Sequence, residues 1–189
     1  MRRALVPNTI SAFRIGLSPL LAAAGFADAR GFFLVLLGVL LASDFADGLF
    51  ARMWRLQTRL GAHLDTCGDV LMGLFGIWGA VMLWPDRLLR EALPILAVLA
   101  LGVVSGAVAC TKHRHLPAYH TWSAKLGTAA VSVGALILFA GWTPLVFRAA
   151  LAVMMVSAVE ETAITLVLPE WRSDVHSIFD AFRVRKASR

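Results

Sequence analysis

Cysteine, tyrosine and charge are all scarce in this 189-residue sequence: two cysteines, one tyrosine, and 16% charged residues. Cys67 and Cys110 stand alone, with neither a CxxC pair nor the cysteine and histidine spacing of a zinc site. That removes a disulfide framework and a soft-metal centre. The shortage of charge is matched by a surplus of apolar residues, 59% of the chain, and a mean hydropathy of +0.74, far outside the soluble norm. Because this character runs almost the whole length, a cleaved leader on a soluble protein does not account for it. The net charge of +6 fits cytoplasmic loops and anionic headgroups, and nucleic acid is not expected as a partner.

What is present is a succession of apolar runs. Runs of roughly 20 residues, enough to cross a ~30 Å hydrocarbon core as a helix, fall at about 5–26, 31–52, 61–84, 88–110, 121–142 and 144–168. The expectation is an all-α, polytopic membrane protein with about six transmembrane helices, forming a single membrane domain over residues 1–189. Residues 171–186 place Val175, Ile178, Phe179 and Phe182 among basic residues at helical spacing, the pattern of a short amphipathic helix on a membrane surface. Trp84, Trp142 and Trp171 stand near helix ends and read as interfacial anchors. If both termini share one side, that side holds Arg2, Arg3, Arg52, Arg55, Arg59, Lys112 and the basic C-terminus. The other side holds only Arg30, Arg87, Arg90 and Arg148, so both termini are expected in the cytoplasm.

Against this background four carboxylates stand out, Asp44, Asp47, Asp65 and Asp69. Asp44 and Asp47 are three apart and Asp65 and Asp69 four apart, so on helices each pair projects from one face. The apolar stretch from Gly31 to Ser43 covers only about 20 Å at ~1.5 Å per residue, which leaves Asp44 inside the membrane, near its cytoplasmic third. Carboxylates there require counter-charge. All-oxygen ligation points to hard cations, Mg²⁺ or Mn²⁺, and two of them about 4 Å apart could bridge phosphate oxygens. Between the pairs, Gly48, Ala51, Arg52 and Gly61 suit a phosphate-bearing ligand, glycine by letting it approach the backbone and arginine by its fork of donors.

Written out, the stretch is Asp44-x2-Asp47-Gly48-x2-Ala51-Arg52-x8-Gly61-x3-Asp65-x3-Asp69, and its eight fixed positions match the motif of the CDP-alcohol phosphotransferases. Pro7-Asn8 followed by Arg14 resembles the first-helix start of bacterial phosphatidylglycerophosphate synthases, and Ala124-Lys125-Leu126-Gly127-Thr128 resembles their Lys-x-x-Thr segment. The resemblance implies a six-helix homodimeric enzyme of a bacterial-type cell membrane with a cytoplasmic active site. In such enzymes an acceptor hydroxyl attacks the lipid-bearing phosphate of CDP-diacylglycerol, or a related CDP-alcohol, and CMP leaves. By the same analogy Asp44, Asp47, Asp65 and Asp69 bind two divalent cations, Asp69 is the general base, and Gly48, Ala51, Arg52 and Gly61 line the CDP site. Acceptor binding falls to Lys125, Thr128 and Arg14, with glycerol 3-phosphate as the expected acceptor. Two departures bear on that acceptor: Val70 stands where many phosphatidylglycerophosphate synthases have lysine, and their arginine and glutamate pair is not evident around 102–109. Inositol phosphate, serine or another polar alcohol is the alternative.

Other polar residues have blander readings beside functional ones. Arg14 could snorkel to the interface as readily as meet an anionic substrate. Lys112, His113, Arg114, His115 and His120 read as a solvated basic loop, with a phosphate-accepting vestibule as the alternative. Glu160 and Glu161, about 100° apart on a helix, are not expected to share one ligand; one of them is expected to pair with Arg14 or Lys125, with substrate binding as the alternative. A divalent-cation transporter is the reading from another class, but it gives the intervening glycine and arginine no task.

Overall fold

The computed structural model describes residues 5–54, 59–115, 119, 121–170 and 175–187, and among them there is no strand. Side chains are described for those residues except 5–10, 46–54, 59–63, 65, 66 and 187. The chain divides into two compact units, Met1–Leu88 and Leu89–Arg189.

The first unit is built from α1 (Leu5–Leu17), α2 (Pro19–Phe26), α3 (Arg30–Trp54) and α4 (Arg59–Leu83). The first expected span is therefore two helices. Pro19 has no N–H to bond the carbonyl of Ile15, and Ser18 closes the break by donating its Oγ to the Arg14 carbonyl at 2.7 Å. α4 packs against both α1 and α2, and α1 and α2 also pack on α3. Leu21, Phe33, Leu40 and Leu83 form the buried centre. Trp84, expected at the membrane interface, belongs to this core instead. It is 5% exposed and meets the edge of Phe33 at 5.4 Å between ring centroids. α2 and α4 approach each other backbone to backbone. A Cβ on Gly79 would lie 2.4 Å from the Leu21 carbonyl oxygen and 2.7 Å from Phe33 Cε2, and one on Gly25 would lie 3.0 Å from Gly79 Cα.

A short helix, α5 (Pro85–Arg90), runs across the boundary. The second unit holds α6 (Ala92–His113), α7 (Trp122–Phe139), α8 (Leu145–Val167) and α9 (Ile178–Ala187). α8 is its central strut, packed by α6, α7 and α9. α7 comes close to α8 at Gly134, where a Cβ would lie 2.8 Å from Phe147 Cα. α6 is tied to both ends of α8. Near the start, Arg148 donates through Nε and Nη2, each at 2.8 Å, to the two oxygens of the buried Glu91. At the other end, Lys112 Nζ donates to the carbonyls of Thr165, Leu166 and Leu168 at 3.0, 2.7 and 2.9 Å. An ammonium there satisfies carbonyls that the helix leaves open and complements its negative end. Lys112→Met should destabilise the fold by about 1–3 kcal/mol, read as a lower thermal midpoint in detergent.

Among the described residues α6, α7 and α8 are long and apolar enough to cross a membrane, and shorter apolar stretches cover Ser11–Phe26 and Cys67–Leu83. The apolar surface turns outward: Leu93, Leu96, Leu99 and Val103 on α6 are all more than half exposed. A soluble protein does not present such a stripe to water, and it marks α6 as a membrane-embedded helix. The protein is a polytopic, all-helical membrane protein. The C-terminal helix starts later than residue 171, at Ile178, because Ser177 and Asp180 cap each other: the Asp180 amide donates to Ser177 Oγ at 3.3 Å and that hydroxyl donates to Asp180 Oδ2 at 3.1 Å. Val175 and Ala181 are buried with Tyr119, Ile164 and Leu168, whereas Phe179 and Phe182 are exposed. Residues 171–174, Trp171 among them, lie outside the described residues.

Candidate active site

Polar residues are buried along α1 and just past its end: Ser11, Arg14 and Ser18, spaced by three and four, are each at most 2% exposed. A guanidinium in that position demands anions, and two arrive from different helices. Arg14 Nη1 lies 2.6 Å from Asp69 Oδ1 on α4 and 2.9 Å from Asp44 Oδ1 on α3. The two carboxylates are about half exposed while the arginine is fully enclosed. Gly68 makes the approach close: a Cβ there would already touch Arg14 Cδ at 3.4 Å.

The backbones of all four aspartates are helical, Asp44 and Asp47 on α3, Asp65 and Asp69 on α4, as the spacing predicts. The structure brings Asp44 and Asp69 together at one nitrogen. The side chains of Asp47, Gly48, Ala51, Arg52, Gly61 and Asp65 lie outside the described residues. Among the described residues no group of three histidine, cysteine or acidic side chains converges on a common point. What Asp44 and Asp69 do provide is hard oxygen donors from two helices, drawn onto one positive charge. That donor chemistry fits Mg²⁺ or Mn²⁺.

Arg14 is thus placed with the aspartates. Of the other expected acceptor residues, Lys125 and Thr128 are exposed on the first turns of α7. Lys125 Nζ lies 5.3 Å from the centroid of Trp122, and Thr128 Oγ1 donates to the Ala124 carbonyl at 3.0 Å. Glu160 takes partners different from the cations expected for it. Ser123 Oγ donates to its Oε2 at 2.5 Å and the Ile178 amide, at the start of α9, to its Oε1 at 3.2 Å. It fastens α9 to α8 and α7, and Glu161 shares neither partner. Lys112 and His113, read as loop residues, lie at the end of α6 and turn to carbonyls of α8; His113 Nε2 is 3.3 Å from the Thr165 carbonyl oxygen. His120 lies outside the described residues. The link that sequence reasoning missed was Arg14 to Asp44 and Asp69. Its signal was there, as one buried-face cation in the first apolar run and four anions in the next two.

Comparison with known proteins decides the family. The sequence model described as CDP-alcohol phosphatidyltransferase matches residues 4–167. The chain belongs to the CDP-alcohol phosphatidyltransferase family. Curated relatives of this family include the CDP-diacylglycerol–glycerol-3-phosphate 3-phosphatidyltransferase of Aquifex aeolicus. It is 31% identical over 116 residues, which cover 59% of this chain and 63% of the relative. A provisionally named cardiolipin synthase of Mycobacterium bovis is 36% identical over 104 residues, 48% of this chain and 50% of that protein, and one of Mycobacterium tuberculosis matches to the same extent. The matched part thus spans between half and just under two thirds of these relatives. No solved structure matches the chain.

Proposed function

We propose that this protein transfers a phosphatidyl-type group from CDP-diacylglycerol, or a related CDP-alcohol, to the hydroxyl of a polar acceptor in phospholipid synthesis. The observation that carries the reading is the convergence of Asp44 and Asp69, the outer members of the family motif, from α3 and α4 onto a single cationic nitrogen. In the reaction the acceptor oxygen bonds to the lipid-bearing phosphorus, the bond from that phosphorus to the CMP oxygen breaks, and the hydroxyl proton passes to Asp69 Oδ. Two divalent cations held by Asp44, Asp47, Asp65 and Asp69 would neutralise the diphosphate and stabilise the negative charge on departing CMP. Arg52 would bind the diphosphate with its fork of donors, while Gly48, Ala51 and Gly61 would leave room for the nucleotide. Lys125, on the exposed first turn of α7, would attract an anionic acceptor, assisted by Thr128.

Glycerol 3-phosphate is the acceptor we favour, supported by the name of the Aquifex relative and by the resemblance of the Lys125 to Thr128 segment. The mycobacterial names support a second reading, in which phosphatidylglycerol accepts the group and cardiolipin is the product. We further infer that both termini and the active site lie on the cytoplasmic side, on the strength of the basic residues at that face, and that the protein is a homodimer, as the family resemblance implies. The test is to incubate purified protein with CDP-diacylglycerol and Mg²⁺ and follow CMP. The acceptor panel holds glycerol 3-phosphate, phosphatidylglycerol, inositol phosphate and serine. CMP release with glycerol 3-phosphate alone is the expected result. Release with phosphatidylglycerol alone would favour the second reading, and no CMP with any acceptor, accompanied by divalent-cation flux in liposomes, would overturn the enzyme reading.

A further inference from the structure

Arg14 is an unusual neighbour for residues expected to bind cations. Its side chain is fully buried, and one of its nitrogens sits between oxygens of two aspartates on different helices, at 2.6 and 2.9 Å. A divalent ion that bridged Asp44 and Asp69 would seek the same oxygens. The guanidinium and the metal are therefore alternatives for one place: they share the oxygen lone pairs, and like charges within a few ångströms repel in a site that water screens poorly.

We propose that Arg14 is a built-in counter-cation for the metal site. It keeps Asp44 and Asp69 assembled while the metal is away, and it must withdraw from at least one of them when the metal binds. This rests on the reading of the aspartates as metal ligands. The role is a positioning one, since Arg14 acts through the aspartates. Two features fit it. The arginine stem reaches the carboxylates alongside Gly68, where any side chain would be in contact with it, so the guanidinium is delivered to this spot by close packing of α1 on α4. The aspartates are half open while the arginine is enclosed, so a metal can reach them from the exposed side without first unpacking α1. The device explains how two like-charged carboxylates stay together before loading, since without a cation between them they repel each other.

The test uses the purified protein in detergent, with Mn²⁺ alone and no lipid or nucleotide. Mn²⁺ affinity is read by electron paramagnetic resonance, and thermal midpoints are measured with and without the ion. Arg14→Gln removes the competing charge, so it should bind Mn²⁺ at least tenfold more tightly than the unaltered protein. Its midpoint should be lower without metal and should rise more on adding it. Arg14→Lys keeps a charge in the buried position, but its shorter side chain carries that charge less far toward the two carboxylates and holds them less well. It should bind Mn²⁺ with intermediate affinity, and it decides the matter if the glutamine variant does not fold. Equal or weaker Mn²⁺ binding by the variants would overturn the role of Arg14 while leaving the metal site standing. Absence of Mn²⁺ binding in all three proteins would overturn the metal reading and the Arg14 proposal with it.

Discussion

Asp69→Asn should lower CMP release by two to four orders of magnitude, the usual range for loss of a general base, and leave binding of the CDP-lipid largely intact. The amide keeps the shape of the carboxylate but cannot accept the acceptor's proton. It also removes the anion that Arg14 Nη1 meets at 2.6 Å, so the loss should lie toward the upper end. Two measurements check this: single-turnover CMP release for the chemical step, and CDP-diacylglycerol binding by tryptophan quenching for the affinity. Turnover within tenfold of the unaltered protein would remove Asp69 from the role of base. A collapse of both binding and turnover would instead assign it chiefly to holding metal and diphosphate.

The largest effect on folding should come from Gly79, where α4 meets α2. A Cβ there would lie 2.4 Å from a backbone oxygen of α2 and 2.7 Å from the Phe33 ring. A backbone atom cannot swing aside as a flexible side chain can. Gly79→Val should therefore destabilise by about 3 kcal/mol or more, at or beyond the upper end for overpacked cores. The corresponding change at Gly73, which has open space around its Cβ position, should be nearly silent. Thermal unfolding of the two variants side by side separates a packing effect from a general intolerance of β-branching in α4.

Helix positions were legible in the sequence because a membrane enforces them. Each apolar run had to be helical for its backbone to be satisfied in lipid, and the runs at 121–142 and 144–168 became α7 and α8 with ends shifted by no more than a few residues. The aspartate motif was legible for a related reason: its spacing is helical and its residues are out of place among apolar neighbours. Pairings between distant residues were harder to read. Nothing in the periodicity of α6 says that Lys112 will cap α8, or that Glu160 will hold the start of α9 rather than a cation. Such contacts depend on which helices become neighbours, and that is set by details such as the absence of side chains at Gly79 and Gly134. Trp84 was misplaced for the same cause. Its position near a helix end suggested an interface, while the packing of α3 gave it Phe33 as a partner. The Ser18 and Pro19 break and the Ser177 cap could have been found, since both follow from local chemistry already written in the chain.

The two fastenings between α6 and α8 also limit how the second unit can move. Glu91 holds Arg148 near one end of α8, and Lys112 holds three carbonyls at the other. Sliding one helix along the other would break both sets at once, whereas tilting the pair as a body breaks neither. Shear is thus closed to α6 and α8, and any widening of this unit for a bulky lipid must carry that pair along as one body.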